Sequence, residues 1–513
     1  MQLERLELAY SIELIRTAES AEPEVYITVE RHSHDGPMGT PKKVPLATFK
    51  QVAEMAGAVQ EALSGSLGLI GDRHPAHSGW LASHLRNVLI PRSQQLTELL
   101  IPSFVAEMIR DSACPIPIEF RVDPMLNQVP WEALYVGRDF LAFSHATGRH
   151  VMSNTGSLAV PRRQQTESLR GAFLVDPCPI GEHRLAPALV KASREVMGRW
   201  WNGPGADRIQ FDAGGVCVDA AVSPQRMISV LRDHDVVVTV GHHSDRRRAP
   251  TAAPELEGLV IADPTGTQPE LFSPQAFIEA LRPPHLPPEL VFWLACESGL
   301  TTGWEADWPR MDRIYGFVDA AIRAGVPHFI GSSLLIPQIA AADLIEPFLL
   351  ALASGCSVGE SLRQARLAAR CGNPDPAGGG SLVGLAFSLF GRPSQGLVSA
   401  QGWRIPGMLA GRCQHTVDLV RCVKLFHPLE EGAKDRRCAD HSLLAPPPPP
   451  IPREPCADPY ARHPNEVIWV SQTEDGWEGA MRRGGRMELV RLCSACRSRA
   501  WTLGELVRLE DLG

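Results

Sequence analysis

The chain has 513 residues, of which 44% are hydrophobic, and a formal net charge of −8. This length is too great for one ordinary hydrophobic core, so we expect two or three domains. The acidic balance disfavours a protein that binds nucleic acid through a basic face. The twelve cysteines are scattered without the short, even spacings of a disulfide-stapled secreted scaffold, so we expect reduced thiols.

No window approaches 18 uncharged apolar residues, and residues 1–10 lack the apolar segment of a secretion signal. These two features predict a cytoplasmic protein without a membrane segment.

Residues 1–95 are predicted to form a mixed α/β N-terminal region. Residues 24–30 alternate with period two, which is typical of a strand, and residues 46–63 carry apolar residues at helical spacing. The helical spacing of residues 94–110 predicts one further helix.

Residues 96–400 are predicted to form one α/β region. From residue 172 onward, strand and helix patterns alternate as they do in a parallel sheet. Two segments, 223–233 and 273–282, each begin with Ser-Pro, which indicates the start of a helix. Residues 382–389 are predicted to form the closing strand of this region. The expected fold class is α/β, with a mostly parallel sheet flanked by helices.

Residues 290–295, Leu-Val-Phe-Trp-Leu-Ala, are apolar without alternation, which is typical of a strand buried on both faces of a parallel sheet. Cys296 follows directly, and Glu297, Ser298 and Gly299 continue as a small polar turn. Ligands bind at the carboxyl ends of such strands, so Cys296 is a candidate nucleophile. The alternative is that Cys296 is a small core hydrophobe, as buried cysteines commonly are.

A second strand, predicted at residues 235–240, ends in Gly241, His242 and His243. Cys296 lies 54 positions after His242. In caspases the catalytic histidine stands about 50 residues before the cysteine. Order and spacing therefore fit a dyad in which His242 is the base for Cys296. By contrast, His328, inside a predicted strand, is interpreted as a core histidine.

Together the blocks Asp-Val-Val-Val-Thr-Val-Gly-His-His and Trp-Leu-Ala-Cys-Glu-Ser-Gly resemble the active-site blocks of the CHAT peptidases, bacterial caspase-like proteins related to separase. Three further segments, 118–123, 129–134 with its Pro-Trp-Glu, and 324–333, resemble other blocks of that family. The resemblance extends from about residue 90 to Pro393. Only the histidine and cysteine blocks are specific for function, and Trp131 and Glu132 are interpreted as packing and capping residues.

The resemblance implies a caspase-like cysteine endopeptidase that needs no cofactor for catalysis, with Cys296 as nucleophile and His242 as base. It implies that the backbone N–H groups of Cys296 and His243 bind the oxyanion. The family usually has Gly where this chain has His243, which restricts the turn. A protein substrate in the same cell, a regulatory protein partner and a bacterial defence or cell-death pathway are implied as well. The alternative is a catalytically silent caspase-fold scaffold for protein–protein interaction.

The segment after residues 328–333 departs from the family. Many relatives have a Trp and acidic residues there, and in separase-like members an acid faces the basic side chain that precedes the cut bond. This chain has Leu334, Leu335 and Gln338, and Asp343 is an acid of the following predicted helix. Burying a cation without a carboxylate is unfavourable, so an apolar or small residue is predicted before the scissile bond, unless Asp343 reaches the pocket.

Residues 401–513 are predicted to form a C-terminal extension with a stiff polyproline spacer at 446–452. Cys493 and Cys496 form a Cys-x-x-Cys pair, and Cys438 and His441 form a second pair with the same gap. Four such ligands could hold a structural zinc ion. The alternative is a set of unpaired, reduced thiols.

Overall fold

The structure is a computed structural model. It describes residues 5–16, 21–33, 36–38, 40–71, 83–112, 115–137, 139–152, 166–201, 203, 205–244, 258–295, 316–332, 334, 336, 342–372, 382–398, 416–417, 420–421, 478–483, 486–491 and 506–507. The chain divides into two compact units, Met1–Arg404 and Ile405–Gly513. The finer division into 1–95, 96–400 and 401–513 stays a prediction.

The first unit contains strands and helices in alternation over much of its length. Its strands are β1 (Arg5–Arg16), β2 (Ala21–Ser33), β3 (Gly36–Pro37), β4 (Lys42–Thr48), β5 (Pro117–Val122), β6 (Tyr135–Val136), β7 (Asp139–Phe140), β8 (Ala146–Val151), β9 (Leu169–Val175), β10 (Ile209–Val218), β11 (Val236–Val240), β12 (His243–Ser244), β13 (Gly258–Ala262), β14 (Pro269–Phe272), β15 (Leu290–Leu294), β16 (His328–Ser332) and β17 (Phe387–Phe390). Its α-helices are Phe49–Gly71, Ile90–Leu100, Ser103–Asp111, Leu141–Ser144, Pro187–Trp201, Pro224–Asp233, Pro274–Ala280, Phe317–Arg323, Ile345–Ala353 and Val358–Gly372.

One large sheet organises the first unit, with the strand order β10-β9-β11-β15-β16-β17-β8-β5-β1-β2-β3 and β4 also paired with β2. Neighbours from β10 to β16 are parallel, as are β17 with β8, β8 with β5 and β5 with β1. β17 runs antiparallel to β16, and β2 antiparallel to β1. The predicted α/β class, a mostly parallel sheet flanked by helices, is confirmed.

The second unit contains short antiparallel strands within the part of it that the structure describes. β18 (Thr416–Val417) pairs with β19 (Val420–Arg421), while β20 (Glu478–Arg483) pairs with β21 (Arg486–Arg491) and β22 (Leu506–Val507). Across the described residues of the chain, no helix is both long and apolar enough to cross a membrane.

The centre of the sheet follows from local sequence. Every residue of β11 and of β15 is buried, as expected for strands covered on both faces. The helices that precede these two strands begin where the Ser-Pro pairs predict. The side chain of Ser223 accepts a hydrogen bond from the Arg226 N–H at 3.3 Å, and Ser273 accepts one from the Ala276 N–H at 3.1 Å.

Two predicted elements were wrong. The single helix over 94–110 is instead two helices, because Pro102 lacks an N–H and Ile101 before it is extended. The strand over 382–389 begins only at Phe387, and residues 382–386 form a 3-10 turn. The fully buried guanidinium of Arg366 donates to the carbonyl groups of Gly384 and Phe387, at 3.0 and 2.6 Å. A buried cation requires such acceptors, and the turn supplies one while the first residue of β17 supplies the other.

Candidate active site

The candidate site lies at the carboxyl ends of β11 and β15. The two strands are adjacent, parallel and in register, with Val240 opposite Leu294. The Gly241 N–H donates to the Leu294 carbonyl at 3.4 Å. His242 follows β11 by two residues, and Ala295, which follows β15 directly, precedes Cys296 in the sequence.

His242 is half-buried and anchored through its backbone, since its carbonyl accepts a hydrogen bond from the Val260 N–H at 2.9 Å. Its Nε2 atom is buried and has no hydrogen-bond partner among the described residues. Burial lowers the pKa of His242, and this effect is opposed by a hydrogen bond from the ring to the Arg184 backbone and by the charge of Asp176. The lowered pKa favours a neutral imidazole, which is the form that accepts a proton.

His243 occupies different surroundings from His242. It belongs to β12 and pairs with Leu259 of β13. Its ring meets the Phe317 ring edge-on, with the centroids 5.8 Å apart. These contacts give the side chain a packing role, and the predicted part of the His243 backbone N–H in oxyanion binding stays a prediction.

Gly241 is the residue that lets the chain pass close to the loop after β9. A Cβ atom at this position would lie 3.2 Å from Cδ and 3.3 Å from Cγ of Pro177, closer than most side chains tolerate. The turn between β11 and His242 is therefore packed tightly against Pro177.

Asp176, which follows β9 directly, was not predicted as a site residue. It is 1% exposed, its N–H donates to the Val240 carbonyl at 3.0 Å, and its φ of 55° is in the left-handed region. The sequence contained one signal for it, an Asp-Pro pair at the end of a buried strand, because Asp is among the few residues that tolerate this conformation.

Comparison with known proteins matches the CHAT domain family model to residues 91–406. The chain belongs to the CHAT-domain family. This match supports a caspase-like protease family for the chain. No curated protein matches it.

Two solved structures of the Saccharomyces cerevisiae separase–securin complex, at 2.6 and 3.0 Å resolution, are similar to the CHAT-domain chain. The TM-scores are 0.44 and 0.45, with 8% sequence identity in both. Each match covers 76% of this chain and 30% of the matched chain. The CHAT-domain chain thus corresponds to less than a third of the matched chain's length.

Several predicted site residues of the CHAT domain and its extension lie outside the described residues. They are Cys296, Glu297, Ser298, Gly299, Leu335, Gln338, Cys438, His441, Cys493 and Cys496. The catalytic, pocket and zinc-binding roles assigned to them stay predictions.

The predicted substrate pocket of the CHAT domain is described only in part. Leu334 is packed into the hydrophobic core at 8% exposure. The Ser332 hydroxyl donates to the Leu334 carbonyl at 2.8 Å and accepts from the Leu334 N–H at 3.1 Å. Asp343 is exposed, just before the helix Ile345–Ala353. The hydroxyl of the last residue of β16 therefore binds the backbone of Leu334.

Among the described residues of the CHAT-domain chain, one group has metal-ligand spacing, and it consists of Glu7, Glu30 and His32. The Glu7 carboxylate already accepts hydrogen bonds from Arg121 at 2.8 Å and from Arg5 at 3.4 Å. Two guanidinium groups thus neutralise the charge that a cation would need.

Proposed function

We propose that this CHAT-domain protein is a caspase-like cysteine endopeptidase in which Cys296 is the nucleophile and His242 the general base. The observation that carries the proposal is the register of β11 and β15. Because Val240 lies opposite Leu294, both strands end at one edge of the sheet. His242 lies at that edge, and β15 ends there two residues before Cys296.

The chemistry follows from thiol reactivity. The imidazole of His242 removes the Cys296 proton, and the thiolate attacks the peptide carbonyl carbon, so that a C–S bond forms. The oxyanion that develops requires N–H donors held in place, for which the backbones of Cys296 and His243 are proposed. The amide C–N bond then breaks as the imidazolium returns its proton to the leaving amine. Water hydrolyses the thioester and restores the thiol.

The proposal includes a protein substrate, a regulatory protein partner and a role in bacterial defence or cell death, all of which come from family membership. A cytoplasmic location is proposed separately, from cysteines that lack the spacing of a disulfide-stapled scaffold. The alternative is a non-catalytic scaffold, in which the Cys296 thiol is not activated.

A chloromethyl-ketone peptide probe tests the proposal by its rate of labelling at each thiol, followed by mass spectrometry. Cys178, Cys217 and Cys356 form no disulfide and serve as internal references. An activated Cys296 should label at least about tenfold faster than these, and His242→Ala should abolish the difference. Labelling of Cys296 no faster than Cys217 or Cys356 would identify a scaffold.

A further inference from the structure

The loop from Asp176 to Leu185 contains three residues that shift the pKa of His242, namely Asp176, His183 and Arg184. Among these, hydrogen bonding by the Arg184 backbone raises the pKa of His242. The next residue, Leu185, donates its N–H to Oδ1 of Asp176 at 3.2 Å. The Asp176 carboxylate therefore closes the loop at the position that contacts the ring.

The backbone of Asp176 is fastened to the strand that carries His242. Its N–H donates to the Val240 carbonyl at 3.0 Å, two residues before His242. Pro177, the next residue, lies against Gly241 and accepts a hydrogen bond from the Val222 N–H at 3.0 Å. Asp176 is thus held relative to His242 by its main chain as well as by its side chain.

Burial of the Asp176 carboxylate lowers the stability of the fold. It is 1% exposed, and Oδ2 is buried without a hydrogen-bond partner among the described residues. Its φ of 55° adds strain. Burial raises the pKa of Asp176, Asp219 raises it further, and Leu185, Arg184 and His242 lower it. Strained backbone and unsatisfied buried polar atoms persist mainly where they serve function.

We propose that Asp176 is a positioning residue for His242, holding the Arg184 backbone against the imidazole and placing a negative charge beside it. The inference rests on the proposed role of His242 as a base. The negative charge stabilises the imidazolium that forms when Cys296 loses its proton, and the Arg184 contact fixes the plane of the ring. Burial lowers the pKa of His242, the charge of Asp176 raises it, and the charge of His183 lowers it.

Three variants separate the charge from the hydrogen bond. Asp176→Asn keeps an acceptor for Leu185 and removes the charge, whereas Asp176→Ala removes both. Asp219→Asn is the matched control, because Asp219 also has a left-handed φ, of 57°, and pairs with the side chains of Arg184 and Arg194. Asp219 is not among the groups that shift the pKa of His242.

The deciding measurement is the pKa of His242 by NMR of histidine-labelled protein, with the signal assigned from a His242→Gln spectrum. We expect Asp176→Asn to lower this pKa, and Asp219→Asn, which acts on His242 indirectly through Asp176 and Arg184, to change it less. The alkylation rate of Cys296 at neutral pH should fall roughly tenfold or more in Asp176→Asn and further in Asp176→Ala. Equilibrium unfolding should show Asp176→Asn to be at least as stable as the wild type, since a buried charge has been removed.

A merely structural Asp176 gives the opposite pattern. Asp176→Asn would then lose stability while the pKa of His242 stays at its wild-type value, and this result would overturn the inference. Failure of the proposed function is a separate outcome, recognised by slow labelling of Cys296 in the wild-type chain. The NMR titration does not depend on catalysis, so it decides the influence of Asp176 on the ring in either case.

Discussion

At the scale of single residues, His242 and His243 are neighbours in the sequence with different surroundings. Nε2 of His242 has no hydrogen-bond partner among the described residues, whereas the ring of His243 packs edge-on against Phe317. A general base needs a nitrogen that can accept a proton, and a ring packed against an aromatic neighbour contributes mainly to stability.

The first prediction compares alanine at these two histidines. His242→Ala should reduce peptide cleavage by about 10²- to 10⁴-fold, because general-base catalysis is lost. His243→Ala keeps its backbone N–H and should reduce cleavage less, while losing about 1 kcal/mol of stability from the ring contact. Cys296→Ala is the inactive reference. The reverse ranking would show that His243 is the base.

The second prediction concerns the acid limb of the pH profile. The base must be deprotonated, and burial lowers the pKa of His242 below its usual 6.5. The value of kcat/KM reports the ionisation of the free enzyme, so its acid limb should lie below pH 6.5. Activity should accordingly persist in mildly acidic buffer. An acid limb at or above pH 6.5 would mean that another group, or a charged His242, controls the rate.

The third prediction concerns the residue before the scissile bond, which we expect to be apolar or small. Leu334 is packed into the core, and Asp343 is exposed ahead of its helix. A buried Arg or Lys would lack a carboxylate partner if Asp343 stays outside the pocket. A peptide library cleaved by the active protein measures this preference. Dominant cleavage after Arg or Lys would contradict it, and loss of that preference in Asp343→Asn would then identify the acid.

At the scale of elements, a buried ion pair joins β8 to the Pro-Trp-Glu segment and to β17. Arg149 pairs with Glu132, and it also donates to the Asn127 carbonyl at 2.7 Å and to the Ser388 hydroxyl at 2.8 Å. Both partners of the ion pair are nearly inaccessible to solvent. Trp131 packs in the core as predicted, but Glu132 neutralises a buried arginine and does not cap a helix.

The fourth prediction follows from this burial. Glu132→Gln leaves the Arg149 guanidinium without its counter-charge, so we expect a loss of about 3–5 kcal/mol in the free energy of unfolding. Glu346→Gln is the matched control, since its partner Arg199 is half exposed and the pair should contribute about 0–1 kcal/mol. Chemical denaturation measures both. Equal losses in the two variants would contradict the argument.

At the scale of the whole molecule, the first strand of the chain belongs to the same sheet as the candidate site. β1 pairs in parallel with β5, Leu6 lying opposite Ile118, and it contributes Leu6, Leu8 and Tyr10 to the core. The second unit, Ile405–Gly513, contains the four residues predicted to bind zinc. The zinc content of the chain can be measured without knowledge of the active site.

The fifth prediction is conditional: if Cys438, His441, Cys493 and Cys496 bind zinc, the full chain should carry about one equivalent of the metal. Metal analysis of purified protein measures the content, and Cys496→Ser should reduce it. Cys217→Ser is the control, because Cys217 lies in the first unit as a free thiol. A full chain that binds no zinc would leave the extension with reduced thiols only.

The sequence alone was sufficient for features that depend on neighbours along the chain. Apolar runs identified β11 and β15, and Ser-Pro pairs identified two helix starts, because burial and capping leave their marks within a few residues. The spacing of His242 and Cys296 led to the family that the match over 91–406 then showed. The roles of these two residues stay predictions, as does the substrate pocket.

Only the tertiary structure decided what depends on residues far apart in the sequence. Asp176 is 66 positions before His242, and no local pattern relates it to that ring. Arg366 binds the carbonyl groups of Gly384 and Phe387, although it lies outside the segment 382–386. The apolar pattern of 382–389 carries no sign of this contact, so that pattern predicted a strand. Strand order, the antiparallel pairing of β17 and the burial of charged groups arise when the sheet assembles. The physical reason is that the sequence around a residue indicates whether its side chain is buried or exposed. Which distant residue that side chain contacts depends on tertiary packing.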